Sequence, residues 1–188
     1  MAEAADAGLL STVPERRLRF DVIGLGQTIG SHEVRIGGTP DAFVVRSDVD
    51  IYVSALGIPL FTYRHSGTET WKNDRLVAFE SQSQGDERAD SVVGRAVERG
   101  FEVKGRRGTI LAPADIMVGS YWTPRMMSKP VLLDPQKGVL EEQVIHSRER
   151  AAWDVRGHLR PVTVFRVSSI LNGEIAYDDS GRWIGAKF

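Results

Sequence analysis

The sequence predicts an all-β protein, a curved antiparallel meander that forms a barrel or half-barrel with little helix. Apolar and polar residues alternate with a period of two along most of the chain, and Gly, Asn, Asp and Pro interrupt the alternation. This pattern gives about ten to twelve short strands. So many strands favour a curled sheet, because an open twisted sheet leaves its edges unpaired.

The first half of the chain alternates with the fewest interruptions. The predicted strands there cover residues 18–23, 28–36, 43–53, 59–65, 69–71, 76–79, 91–97, 101–104 and 109–111. Glycine, Pro and Asn-Asp pairs predict turns at 37–40 and 72–74. We also expect a turn at 66–68, around Gly67, and a polar hairpin tip at 82–90.

The second half contains the one stretch that breaks the alternation, residues 113–129. A single helical turn is predicted there at 114–118, directly after Pro113. Strands are predicted at 131–133, 139–146, 162–167, 174–177 and 183–188, with turns at 134–138 and 178–181. We expect a flexible tail over residues 1–16 and a single domain over 17–188.

Composition excludes several classes of protein. The formal net charge of −1 offers no basic field to attract nucleic acid, so we expect no nucleic-acid partner. The chain has no cysteine, which excludes disulfides and thiolate catalysis. No apolar run approaches the ~20 residues of a membrane-spanning helix, so no transmembrane segment is predicted.

The first eight residues are small and polar, without an apolar signal core. They fit either a cytoplasmic tail or a trimmed export product with an added initiator Met, and we favour the second interpretation. The protein would then be periplasmic or secreted; otherwise it would be cytoplasmic.

Several short blocks stand out by their order and spacing. They are Phe20-Asp21-Val22 with residues 29–32, residues 69–76, residues 120–124 with 133–138, and residues 177–183. Together they resemble an uncharacterised family of exported bacterial β-rich proteins, known as a domain of unknown function. The resemblance implies a curved sheet like the lipoprotein-carrier half-barrels, which hold an acyl chain on the concave side. It implies no activity.

The segment Ser120-Tyr121-Trp122-Thr123-Pro124 is also similar to a Ser-Tyr-Trp-Ser-Pro segment of a cofactor-free violacein-pathway enzyme. That enzyme uses a carrier-like half-barrel, and the serine that matches Ser120 lies in its active site. A catalytic tyrosine two positions earlier corresponds to Val118 in this chain. The similarity indicates that such a fold can host catalysis.

Two pairs of residues form the main candidate site. Tyr63 and His65 share one face of a predicted strand, and Glu69 and Trp71 share a face of the next, so a turn at 66–68 would place the pairs side by side. A His beside a Glu can act as a general base, and an aromatic wall would raise the carboxyl pKa. The alternative is a buried polar cluster that only fixes the sheet.

Further candidates lie in the irregular stretch, because such segments on a rigid sheet often line a site. The predicted ligand-binding residues are Trp71, Tyr121, Trp122, Arg125, Met126 and Met127. Methionine suits a pliable apolar surface, and arginine suits a carboxylate or head group. The alternative is that Tyr121 and Trp122 plug an open end of the barrel.

Motifs for other chemistry are absent from the sequence. The four histidines show no metal-ligand spacing, and neither a nucleophile elbow nor a phosphate-binding glycine loop occurs, so we predict no metal and no cofactor. The leading hypothesis is a module that binds an apolar or amphipathic, lipid-like small molecule in the concave cavity. The alternative is a cofactor-free isomerase, cyclase or lyase, with Glu69 or His65 as base and Tyr63, Ser120 or Tyr121 orienting the substrate.

Overall fold

A computed structural model describes residues 13–24, 26–55, 58–85 and 88–188. Of the predicted tail, residues 1–12 lie outside the described residues, and the first strand begins at Val13. Among the described residues there is no helix long and apolar enough to cross a membrane.

An eight-stranded antiparallel sheet forms the first part of the chain, and each strand pairs with the next. Its strands are β1 (Val13–Gly24), β2 (Gln27–Thr39), β3 (Ala42–Ala55), β4 (Ile58–Lys72), β5 (Arg75–Gly85), β6 (Ala89–Val97), β7 (Gly100–Gly105) and β8 (Gly108–Ala112). The predicted all-β meander is confirmed. The sheet is curved but does not close into a barrel, since β1 and β8 remain its edges.

The second part contains an irregular segment and two smaller sheets. A short 3₁₀ helix spans Pro124–Ser128. The antiparallel pair β9 (Val131–Leu133) and β10 (Leu140–Glu142) follows it. The last sheet is a four-stranded meander of β11 (Val144–Val155), β12 (His158–Ser168), β13 (Asn172–Tyr177) and β14 (Trp183–Lys187).

The structure corrects several predicted elements. Residues 66–68 form no turn, because β4 runs unbroken from Ile58 to Lys72. The predicted polar tip at 82–90 is largely strand, since β5 continues to Gly85 and β6 begins at Ala89. The helical turn lies at Pro124–Ser128 instead of 114–118. The predicted strand 139–146 is divided between β10 and β11, and the extension of β11 to Val155 was not predicted.

One face of the large sheet forms the core with the second half of the chain. Leu18, Val34, Val45 and Phe79 are buried on this face and belong to the same apolar cluster as Leu133 of β9. The last sheet contributes to the same cluster. The buried residues of the last sheet in this cluster are Val167, Ile175, Tyr177 and Trp183. The irregular segment, β9 and the four-stranded sheet therefore cover the inner face of the meander.

Candidate functional site

The candidate residues of β4 lie on one strand and not on two. Tyr63, His65, Glu69 and Trp71 are all odd-numbered, so they share the inner face of the large sheet. The β4–β5 turn at Asn73 and Asp74 sets the register of this strand. Both residues have positive φ, 49° and 61°, as the tight hairpin turns that join twisted strands require. The predicted arrangement of two pairs across a hairpin is therefore wrong.

Glu69 is the most unusual residue of this row. Its side chain is only 2% exposed, and its neighbours in register on β3 and β5 are the buried Val45 and Phe79. Oε1 accepts a hydrogen bond from Ser120 Oγ at 2.5 Å. Oε2 accepts hydrogen bonds from Trp71 Nε1 at 2.9 Å and from Trp122 Nε1 at 3.2 Å.

The environment of Glu69 changes its protonation. Burial raises the pKa of Glu69 from 4.5 to about 7, although the hydrogen bonds from Ser120, Trp71 and Trp122 favour the carboxylate and oppose this shift. All three of these donors are uncharged, so none supplies the opposite charge that usually accompanies a buried carboxylate. Glu69 can therefore exchange a proton near neutral pH.

Three aromatic rings enclose the carboxyl group. Phe43 of β3 stacks on Trp71, its partner in register, with ring centroids 5.9 Å apart. Trp122 meets both rings edge-on, at 5.8 Å from Phe43 and 6.0 Å from Trp71. Phe43 and Trp122 are half-buried, so the apolar wall extends from the buried carboxyl towards the surface.

The irregular segment holds Ser120 in place through its backbone. Val118 forms a β-bridge with Leu133, and the amide of Gly119 donates to the Leu133 carbonyl at 2.9 Å. The next residue, Tyr121, has a φ of 58°, a left-handed conformation that reverses the chain. Its carbonyl accepts a hydrogen bond from the Tyr177 hydroxyl at 2.9 Å, which ties the reversal to β13.

His65 lies apart from Glu69. Four residues along a strand separate their Cα atoms by roughly 13 Å. The Nδ1 atom of His65 forms a hydrogen bond with Ser83 Oγ at 2.8 Å, and burial lowers the pKa of His65. The neighbouring His32 forms the corresponding bond through Nε2 with Ser47 Oγ, also at 2.8 Å. The predicted direct partnership of His65 with Glu69 is not present.

The remaining predicted site residues occupy three kinds of position. Tyr63 is half-buried at the His65 end of the row, and burial raises its pKa. Tyr121, Met126 and Met127 are buried within the core cluster. Arg125 is exposed and forms an ion pair with Asp74 at 2.7 Å. The structure thus brings together Glu69, Trp71, Ser120 and Trp122, and it places the others elsewhere.

Sequence reasoning missed Phe43 and His32 as members of these clusters. Phe43 begins a predicted strand at the same parity as Val45, which was a sufficient signal that its ring faces inward. His32 lies with Phe20 and Trp183, at ring distances of 6.1 Å and 5.2 Å. No local pattern could have indicated the contact with Trp183, because the two residues lie in different sheets.

A separate polar groove of about 660 Å³ lies mainly on the opposite face of the large sheet. Its charged residues are largely paired: Arg35 with Asp48 at 2.7 Å, and Arg64 with Asp50 at 3.2 Å. Glu69 does not line this groove, although His65 does. Within the described ranges, no three His, Asp or Glu residues are grouped so that they could hold a metal ion.

Comparison with known proteins gives a family but no activity. No curated protein and no solved structure matches the chain. A family model described as a domain of unknown function (DUF6134) matches residues 20–188. Since this match covers most of the sequence, the chain belongs to the DUF6134 family.

Proposed function

We propose that this protein is an acid–base enzyme that transfers a proton on a small apolar or amphipathic substrate, as an isomerase, cyclase or lyase does. Glu69 is the base, Ser120 orients the substrate, and Trp122 with Phe43 forms the apolar wall. The proton leaves a carbon or hydroxyl of the substrate for the Glu69 carboxylate and returns to the product from the same group.

The protonation of Glu69 carries this proposal. A general base works best when its pKa is close to the working pH, and burial brings the pKa of Glu69 to about 7. Buried carboxyls without a cationic partner are costly, and strongly shifted groups of this kind concentrate at functional sites. A carboxyl needed only to anchor the two tryptophans could be replaced by a neutral amide at lower cost.

Ser120 supports the proposal because it connects Glu69 with the surface. Its hydroxyl donates to Glu69 Oε1 over 2.5 Å, and the serine itself is half-buried. A substrate hydroxyl that donates to Ser120 Oγ would lie within one hydrogen bond of the base, since the serine donates its own proton to Glu69. Ser120 then positions the reacting group, and Glu69 exchanges the proton.

The aromatic wall defines the class of substrate. The Glu69 carboxylate is hydrogen-bonded by two indole N–H groups and one hydroxyl, and the rings of Phe43, Trp71 and Trp122 supply the apolar part of the lining. Such a lining suits a planar or aliphatic substrate with one or two polar atoms.

A second candidate is a binding module for an apolar or amphipathic molecule that undergoes no reaction. The half-exposed rings of Phe43 and Trp122 favour it, since they present an apolar surface beside a single hydrogen-bonding serine. In that case Glu69 would accept hydrogen bonds from the ligand or its wall and would exchange no proton.

The two candidates are separated by comparing variants on a metabolite extract from the source organism. Wild-type protein, Glu69→Gln and the control Glu80→Gln, an exposed carboxyl on β5, are each incubated with the extract and analysed by mass spectrometry. We expect compounds that wild-type and Glu80→Gln convert and that Glu69→Gln leaves unchanged. A compound retained equally by all three proteins without conversion would establish the binding module. If folded wild-type protein neither converts nor retains any compound, both candidates are wrong.

A further inference from the structure

The hairpin of β3 and β4 continues beyond its pairing with both neighbours, while β2 runs on to Gln27 paired with β1. Pairing of β2 with β3 stops at Gly30 and Ile51, and pairing of β5 with β4 stops at Gly85 and Tyr63. The β3–β4 ladder continues past these points, from the Tyr52–Thr62 pair to the Ala55–Ile58 pair. Residues 52–55 and 58–62 are the described part of this continuation, which we call the β3–β4 arm.

The arm contains no ionisable acidic or basic side chain. From residue 51 to residue 63 the sequence has no Asp, Glu, Lys, Arg or His, in a chain whose residues are 26% charged. Charges resume immediately at the base of the arm, where Asp50 and Arg64 form an ion pair at 3.2 Å. The boundary between the apolar arm and the charged sheet is thus sharp.

Four large apolar or aromatic side chains of the described part of the arm are exposed to solvent. Ile58 is 63% exposed, Leu60 62% and Phe61 45%. Tyr52 and Phe61 belong to successive pairs of the ladder, Tyr52–Thr62 and Val53–Phe61, so their side chains point to opposite faces. Tyr52, which is 49% exposed, lies at the base of the arm.

Exposure on both faces indicates what covers the arm. A protein partner that adds a sheet or helix covers one face of a ribbon and leaves the other in water, whereas a lipid phase surrounds an inserted tip. The four β3–β4 pairs beyond the last residues paired with β2 and β5 give the arm a length of about 13 Å, enough for the 5–10 Å depth of an interfacial insertion. Tyr52 at its base has the amphipathic ring that favours the membrane–water boundary.

The same end of the protein presents a second apolar and basic projection. Arg156, in the β11–β12 turn, lies 3.4 Å from Asp21 of β1, and the neighbouring Val22 is in register with Gly30 and Ile51. Leu159 near this turn is 75% exposed. Arg160 is exposed beside it and adds a basic group, of the kind that attracts anionic head groups.

We propose that the β3–β4 arm inserts the exposed side chains of Ile58, Leu60 and Phe61 into the interface of an anionic lipid membrane, with the β11–β12 turn contacting the head groups beside it. The proposal is independent of the chemistry at Glu69, because the arm shares no residue with that site. It places one end of the protein at a lipid surface and leaves the aromatic wall of Glu69 free.

Sedimentation with vesicles tests the arm directly. The full chain is mixed with vesicles of phosphatidylethanolamine and phosphatidylglycerol, and the bound fraction is measured. We expect wild-type protein to bind, and each of Ile58→Ser, Leu60→Ser and Phe61→Ser to bind at least about tenfold more weakly. The matched control is Val93→Ser with Leu111→Ser, two residues of similar exposure on β6 and β8. The proposal is overturned if wild-type protein stays in solution, or if arm and control variants bind equally.

A fluorescent label shows whether the arm itself enters the lipid. The chain has no cysteine, so Leu60→Cys can be labelled at one position with an environment-sensitive dye, with Val93→Cys as the matched control. We expect the emission of the label at position 60 to shift to the blue when vesicles are added, while the label at position 93 does not respond. A shift at both positions, or at neither, contradicts the proposal. A dimer that forms without vesicles and is lost in Phe61→Ser would identify a second copy as the occupant instead.

Discussion

Ser120 donates a hydrogen bond to Glu69 Oε1 over 2.5 Å, across 51 residues of sequence. The bond joins the irregular segment to the inner face of the large sheet. It also brings a half-exposed hydroxyl into contact with a carboxyl whose pKa is about 7. The same contact thus contributes both to the stability of the segment and to the chemistry that we propose.

Replacing Ser120 by Ala tests how strongly the bond depends on the charge of Glu69. A hydrogen bond to a carboxylate contributes about 1.5–3 kcal/mol, and one between neutral groups about 1 kcal/mol. Glu69 is mainly charged at pH 8 and mainly protonated at pH 5. We therefore expect Ser120→Ala to lower the free energy of unfolding by about 2 kcal/mol at pH 8 and by about half as much at pH 5. Urea unfolding at the two pH values measures both.

Ser128→Ala provides the control for this experiment. Ser128 Oγ donates to the Arg125 carbonyl at 2.8 Å, in the same segment but on the exposed surface. Because that acceptor does not titrate, the effect of Ser128→Ala should be small and equal at both pH values. A Ser120→Ala effect that is also equal at both values would show that the bond does not respond to the protonation of Glu69.

Glu69→Gln should alter how stability depends on pH. Below pH 4.5 the carboxyl is protonated in both the folded and the unfolded chain. As the pH rises from 4.5 to about 7, the unfolded chain releases the proton first, so Glu69 costs the folded state about 3 kcal/mol. A glutamine does not titrate. We expect the variant to gain about 3 kcal/mol relative to wild type between pH 4.5 and pH 8 in urea unfolding.

The comparison must use the difference between the two proteins, since His32 opposes Glu69 over much of the same range. An unchanged difference between wild type and Glu69→Gln from pH 4.5 to pH 8 would mean that Glu69 titrates near its ordinary value. The proposed base would then lack the property on which its role depends.

His32 should make the protein sensitive to acid. Burial is the main cause that lowers the pKa of His32 from 6.5 to about 4; the nearby His65 adds to the shift and Asp48 opposes it. The contribution of His32 to the free energy of unfolding is therefore complete above pH 6.5. It is lost as the pH falls from 6.5 through 4, by about 3 kcal/mol in total. His32→Gln can keep the hydrogen bond with Ser47 and should lose less stability between pH 7 and pH 4. Equal losses in wild type and His32→Gln would contradict the assignment.

The regular part of the fold was predictable because its signals are local. Asn73 and Asp74 tolerate the positive φ of a tight turn, so the β4–β5 hairpin was predicted correctly. Gly67, by contrast, led to an incorrect prediction of a turn at 66–68. It lies inside β4, where a Cβ would meet His65 Nε2 at 3.3 Å and Phe79 Cε2 at 3.7 Å. A glycine within a strand can thus mark a close approach of side chains instead of a turn.

Only the contacts of the candidate site between residues close in sequence were predictable. Glu69 and Trp71 lie two residues apart on one strand, so alternation placed them on a common face, and the structure joins them by a hydrogen bond. The contacts of Ser120 and Trp122 with Glu69 depend on how the irregular segment folds back over the sheet. That path is set by distant contacts such as the Tyr177–Tyr121 hydrogen bond, which no local pattern encodes.

The loop at 134–138 offers a test of how the second half of the chain docks on the large sheet. Ser81 Oγ of β5 donates to the Pro135 carbonyl at 2.5 Å, and Asp134 Oδ1 accepts the amides of Gln136 and Lys137. A Cβ at Gly105 of β7 would lie 2.6 Å from the Lys137 carbonyl oxygen. We expect Gly105→Ala to lower the free energy of unfolding by about 2 kcal/mol, because backbone must move to admit the methyl group.

Gly37→Ala is the matched control, since the nearest atom to its Cβ would be Glu15 Cγ at 3.9 Å. It should change stability by less than about 0.5 kcal/mol. Thermal and urea unfolding measure the change in stability of both variants. Equal changes would show that the loop does not pack against β7.

The displacement of this loop should also reach Ser120. The carbonyl of Leu133, which directly precedes the loop, accepts a hydrogen bond from the Gly119 amide, so a displaced loop should shift the neighbouring Ser120. Gly105→Ala should therefore strengthen the pH dependence that Glu69 gives to the wild-type protein, because it weakens a hydrogen bond that favours the Glu69 carboxylate, whereas Gly37→Ala should leave that dependence unchanged.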